Sequence, residues 1–154
     1  MCMDFSQNQT IRNADEVQSA YWDAVSATMH AIVMYYKCPK CNQTVKHDFV
    51  QLSNDMQHDH FFPRVAIEAM ISYLESIGVQ VTEVCQFTDN CSSQYKCQRA
   101  FVALTHCSKP VTRIFFGERH GKNVCDTKFS VLKQKIDSFI HKKNARFNPE
   151  AFTV

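Results

Sequence analysis

Hydrophobic and polar positions alternate along this chain in blocks that predict a mixed α/β fold. Residues 1–5 are a short apolar start broken by Asp4, read as a terminal strand. Residues 9–24 are polar, with Asp15, Glu16, Tyr21 and Trp22, and show no usable period. Residues 27–36 are apolar and rich in β-favouring types, which predicts a strand. Cys38-Pro39-Lys40-Cys41-Asn42 is turn chemistry, and residues 45–52 form a second strand, so the pair predicts a hairpin. Ile67, Met70, Ile71, Leu74 and Ile77 then recur at helical spacing. Pro63 suits the first turn of that helix and Gly78 its C′ stop. The nearly continuous apolarity of residues 79–88 predicts a central strand. A short helix over 94–104, a break at Lys109-Pro110 and a strand over 111–116 follow. After a polar loop, residues 117–123, a last helix carries Phe129, Leu132, Ile136, Phe139 and Ile140 along one side.

The resulting order is strand, two-stranded hairpin, helix, strand, helix, strand, helix. That is the element order of a ribonuclease H-like fold, so the expectation is a mixed five-stranded sheet flanked by helices. With 154 residues, 45% of them hydrophobic and 21% charged, the chain suits one packed domain. We assign residues 1–143 to it and leave 144–154 as a loose tail. A net charge of +2 does not by itself call for nucleic acid. The distribution says more: Lys133, Lys135, Lys142, Lys143 and Arg146 face one acid, Asp137, in the last stretch. Such a basic face suits a DNA backbone or simply a solvated helix. Eight cysteines would fit a disulfide scaffold in a secreted protein. Met1-Cys2-Met3-Asp4 has neither a basic segment nor an apolar core of a signal peptide, and no apolar run approaches the roughly 20 residues of a membrane span. The expectation is therefore reduced thiols and a nuclear or cytoplasmic protein away from membranes.

The candidate chemistry lies with three aspartates. Asp89 ends the predicted central strand, where α/β sheets place ligands and metals. Asp4 ends the short first strand and Asp126 follows the loop containing His120 and Lys122. Three carboxylates so placed suggest a two-metal phosphoryl-transfer site binding Mg2+ or Mn2+. Plainer roles stay open: Asp4 as a solvated terminal residue, Asp89 as a turn or N-cap residue, Asp126 as a cap. Glu118 and Asp137 are reserves for the third acid. Gln94 and Lys96, expected to open a helix beside Asp89, suit phosphate contact, as do His120 and Lys122. Cys38 and Cys41 are half a zinc site. Four ligands are needed, no second CxxC follows, and His47, His58 and His60 would have to complete it. Zinc at Cys38/Cys41 is not expected on this reading. Cys85, Cys91, Cys97, Cys107 and Cys125 read as small buried residues or scattered thiols.

Six segments in order also resemble a known group. Asp4-Phe5 with Asn8 is similar to its opening DFxEN, and residues 15–22 to its DEIQSxHW. Residues 33–36 match the strand ending in VYY. Residues 47–50, with Asn54-Asp55 and His58-Asp59-His60, are similar to DSFVVISDDLxHD. Residues 87–96 resemble FSDGxxSQYK, and residues 115–122 with Cys125-Asp126 resemble FFxxxHGKGxxD. The chain thus resembles transposon-derived, DDE transposase-like proteins with a ribonuclease H-like core. The resemblance implies metal-dependent DNA cleavage and strand transfer, with Asp4, Asp89 and Asp126 as catalytic metal ligands and DNA as partner. It departs after Asp126, where the group's glycine-rich DGxGGxxKR is replaced by Thr127-Lys128-Phe129-Ser130-Val131-Leu132-Lys133. That loss, and the absence of additional DNA-binding sequence, fit a truncated core or a non-catalytic DNA- or protein-interaction domain derived from one.

Overall fold

The computed structural model describes residues 1–6, 8–11, 25–117 and 124–143. Among these residues, six strands form one mixed sheet: β1 (Cys2–Phe5), β2 (Gln9–Ile11), β3 (Val25–Lys37), β4 (Thr44–Ser53), β5 (Val84–Thr88) and β6 (Val111–Phe115). Three helices accompany them: α1 (Phe61–Ser76), α2 (Gln98–Thr105) and α3 (Val124–Lys143). The path across the sheet is β2-β3-β1-β5-β6, with β4 also paired to β3. The β1–β3, β2–β3 and β3–β4 pairs are antiparallel, whereas β1–β5 and β5–β6 are parallel.

The sheet has six strands rather than the five expected. The extra one, β2, is the polar tripeptide Gln9-Thr10-Ile11 paired with Ala27, Ser26 and Val25. Hydrophobic alternation cannot announce a strand so short and polar. The hairpin is as expected, its register running from Thr28↔Ser53 to Lys37↔Thr44.

Side chains alternate faces along each strand, so the sheet separates two cores. Met3, Ile32, Met34 and Val84 face α1, where Ala66, Ile67, Met70, Ile71 and Leu74 meet them. Cys2, Ala27, Met29, Ala31 and Val33 face α3 and pack with Cys125, Phe129 and Ile136. From Ala27 to Met34, strand β3 is thus buried on both faces, which explains its mostly apolar run.

Two boundaries differ from expectation. β5 begins at Val84, not Val79. Residues 79–83 close α1 instead: the Val79 amide bonds Leu74 O at 2.9 Å and the Gly78 amide bonds Glu75 O at 3.0 Å. This is a Schellman ending, with Gly78 at φ +83°. Val79 and Val81 stay apolar because they pack into the α1 core. A Cβ at Gly78 would meet nothing within 4 Å, so the cost of Gly78→Ala is conformational. We expect a loss of about 1–2 kcal/mol in thermal or urea melts.

The second difference is α2, which starts at Gln98 rather than Gln94. Tyr95 is buried completely, and its carbonyl accepts a hydrogen bond from Arg113 at 2.8 Å, removing it from helical bonding. Cys97 then caps the helix, its sulfur accepting from the Ala100 amide.

Candidate functional site

From β1 the chain moves to β3 and β4 on one side, then returns to build β5 and β6 on the other. The strand order therefore reverses between β1 and β5, and the crevice beyond their carboxyl ends is where open α/β sheets bind ligands. Cys2 is in register with Phe87. Asp4 lies two residues beyond Cys2 in β1, and Asp89 two beyond Phe87, just past the end of β5, so the parallel register, if continued, sets the two acids side by side. Asp4 is half-buried in β1, opposite Ala31 of β3, and Asp89 immediately follows β5.

Asp126 lies exposed in the first turn of α3. Its neighbour Cys125 seats that turn on the sheet, with its sulfur 3.6 Å from Cys2 O and 3.7 Å from Ala31 O. The hydrogen bond from Cys125 pulls the Cys2 thiol down, and the same bond together with burial pushes Cys125 up. Asp4 and Asp126 both act on these two thiols, while Asp4 and Asp89 both help burial to push Tyr95 well above the ordinary phenol range. Asp4 is thus the acid common to both neighbourhoods, the thiol pair and Tyr95. Among the described residues, no three His, Cys, Asp or Glu side chains form a ready-made metal cluster.

Asp89 has a local role as well. Its Oδ1 accepts the Cys91 amide at 2.9 Å, an Asx turn that leads the chain away from β5. Asn90 donates to Phe116 O at 2.7 Å, and Lys96 Nζ donates to Asn90 Oδ1 at 3.1 Å. Lys96 also lies 5.4 Å from the centre of the Phe115 ring. Lys96 is thus exposed but tethered, and Gln94 is half-buried in the same turn. Neither opens a helix as expected, because Tyr95 between them is drawn into the core. His120, Lys122 and Glu118 lie outside the described residues, as do residues 144–154. Asp137 is exposed on α3, about three turns from Asp126.

The hairpin separates the histidines once considered beside Cys38 and Cys41. His58 and His60 follow the ten-residue β4 at its far end, roughly 30 Å from the tip at about 3.4 Å per residue. His47 stacks on Phe49 at 4.8 Å and meets the Tyr73 ring edge-on at 5.1 Å. These three histidines and the two cysteines do not form one site.

Sequence reasoning missed the buried polar network beneath the acidic edge. Tyr95 and His30 are both 0% exposed, and their Oη and Nε2 atoms are 3.1 Å apart. Arg113 Nε donates to Gln86 Oε1 at 2.9 Å, and its guanidinium lies 5.5 Å from the Tyr95 ring centre. Phe5, next to Asp4, packs against His30 at 4.4 Å and stacks on His58 at 4.7 Å. His58 in turn contacts Asn8, whose Oδ1 accepts from Thr28 at 3.2 Å. The one available signal was a polar residue at the buried phase of an apolar strand, as at His30 and Gln86.

The chain is thus a mixed α/β domain with an acidic edge at the point where its strand order reverses, and no described helix is long and apolar enough to cross a membrane. It belongs to the family described as Domain of unknown function (DUF8701), whose model matches residues 1–152. No curated protein and no solved structure matches it.

Proposed function

We propose that the chain is a ribonuclease H-like, DDE-type core for metal-dependent phosphoryl transfer on DNA. The observation that supports this reading is the parallel pairing of Cys2 with Phe87, which directs Asp4 and Asp89 toward the carboxyl ends of adjacent strands where the topology switches sides. Asp126 approaches the same end on α3. The donor set fits Mg2+ or Mn2+, which are hard ions satisfied by one or two carboxylates plus water. Asp4 and Asp89 would hold the metal directly, with Asp126 as the third acid. The metal would supply charge stabilisation and an activated oxygen. The chain itself fixes the acids: Phe5 anchors the backbone beside Asp4, the Asx turn orients Asp89, and Cys125 seats the turn bearing Asp126. Lys96 and Gln94 are placed to meet a phosphate near Asp89, and Lys135 extends the basic side of α3 toward a DNA backbone.

A second reading, a non-catalytic DNA- or protein-interaction domain, has its own support. Residues 126–133 are already helical, where the group it resembles has a glycine-rich loop. One oxygen of Asp89 is also committed to a turn.

Asp89→Asn separates the two. The asparagine oxygen still accepts the Cys91 amide, so the turn survives while the charge goes. We expect Mn2+ at 100 times its Kd to stabilise the wild type by about 2.7 kcal/mol in thermal shift. Asp89→Asn should abolish that response and lower DNA cleavage on the order of 100-fold. Metal-independent melting of the wild type would overturn the enzymatic reading. DNA retention without cleavage would favour the second.

A further inference from the structure

We propose that the groove between the start of α1 and α2 seats one unpaired nucleotide of a DNA strand, with its phosphate between Arg64 and Arg99 and its base against Phe61 and Val102. The choice of DNA rests on the functional reading above; the groove and its chemistry do not. The groove is a cavity of about 370 Å³, lined from α1 and the residue before it by His60, Phe61 and Arg64, and from α2 by Gln98, Arg99 and Val102. That volume lies in the range that takes a small organic ligand. The two walls are tied together, because the Ser108 amide, just past α2, donates to Glu68 Oε1 on α1 at 2.7 Å.

The lining is cationic and unneutralised. One arginine comes from each wall, and no Asp or Glu is among the lining residues. Among the described residues neither Arg64 nor Arg99 forms an ion pair. The carboxylates nearby in sequence are engaged elsewhere: Glu68 holds Ser108, and Asp59 Oδ1 accepts the Phe61 and Phe62 amides at 2.9 and 3.3 Å. Pro63 has no amide hydrogen, so the first turn of α1 has no donors to spare and an anion must be held by side chains. Two guanidinium groups suit a phosphate, whose oxygens match their planar fork. His60 and Gln98 add further hydrogen-bonding groups.

Beside these cations the walls are apolar and open. Phe61 is 57% exposed and Val102 50%, one on each helix. Inorganic phosphate would leave that surface wet. A nucleotide covers it with the flat face of its base while its phosphate meets the arginines, the combination by which proteins hold single strands. The groove also lies at the end of the sheet that carries the acids. Phe62, next to Phe61, has its ring 5.5 Å from that of Phe5, the last residue of β1. Lys96, shortly before α2, is held by Asn90 beside Asp89. A strand leaving Asp89 past Lys96 therefore meets Arg99 next. A base stacked inside a duplex cannot enter a groove between two helices, so the nucleotide is unpaired.

The test uses the full chain and a fluorescently labelled oligothymidine strand of about ten nucleotides, followed by anisotropy in EDTA so that metal plays no part. The wild type should bind the strand and bind a duplex of the same length more weakly. Arg64→Ala and Arg99→Ala should each weaken binding on the order of 10-fold. Together they should flatten the dependence of log K on log salt by about 0.7, the share of one single-strand phosphate. Phe61→Ala should cost a similar factor with the salt slope unchanged, and Phe61→Tyr should restore it. All three side chains lie outside both cores, so the far-UV spectra should match the wild type. Unchanged affinity and slope in the double arginine variant, a duplex held as tightly as the strand, or tighter binding of the matching RNA strand would overturn the proposal. Strand binding by a chain that gives no Mn2+ response would sink the catalytic reading alone and leave this groove standing.

Discussion

Replacing Tyr95 with alanine is expected to cost about 3–5 kcal/mol, the usual range for deleting a buried aromatic side chain. A domain of this size has only about 5–15 kcal/mol in total, so the variant should be marginal at 37 °C. Tyr95 is 0% exposed and packs in the same core as Met3, Ile32, Ile67 and Val84. Its ring lies 6.1 Å from that of Phe5 and faces the Arg113 guanidinium. Burial keeps the phenol neutral, and its hydroxyl shares one hydrogen bond with His30 Nε2. Tyr95→Phe keeps the packing and removes only that hydroxyl, leaving Nε2 buried without a partner at a cost of about 1–3 kcal/mol. Urea unfolding of the three proteins reads both numbers. A loss below about 1 kcal/mol for Tyr95→Ala would mean that the loop after β5 is not anchored in the core.

The same residue shows where sequence reasoning stops. Elements held by local pattern were legible: the β3–β4 hairpin from its apolar runs, α1 from Ile67 to Gly78, and α3 from Phe129, Leu132 and Ile136. Elements set by distant partners were not. Val79 and Val81 are apolar because they pack under α1, and apolarity cannot distinguish that from a strand. Tyr95 looked like the opening of a helix because its burial depends on Phe5, His30 and Arg113, all remote in sequence. The candidate site divides the same way. Asp89 at a strand end could be read directly, but its place beside Asp4 comes from parallel pairing across some 85 positions (Cys2 with Phe87), which no periodicity encodes. The network and the acidic edge are also joined: Phe5 carries the backbone of Asp4 on one side and packs on His30 on the other. A site on a strand fixed in this way is more tightly positioned than one on a loop.

Stability is expected to fall as pH drops below about 6.5, by about 2 kcal/mol between pH 7 and pH 5 from His30 alone. Burial holds this imidazole neutral down to about 3, with His58 acting in the same sense and Gln51 opposing. Gln51 lies near the ring, yet neither its Oε1 nor His30 Nδ1 reaches hydrogen-bond geometry, so it rescues the cation poorly. The sign follows from proton counting. In the unfolded chain His30 takes a proton near 6.5; in the folded chain it does not until about 3. Between these values the unfolded state binds more protons, so acid favours it, with a slope approaching about 1.4 kcal/mol per pH unit. His58, lowered by burial to a lesser degree, adds to the loss. Denaturant titrations at pH 7, 6 and 5 on wild type and His30→Gln measure this directly. The variant should start less stable at pH 7 and lose less on acidification. Parallel curves would mean that His30 is protonated in place, and that the core beneath Asp4 is open to water rather than dry.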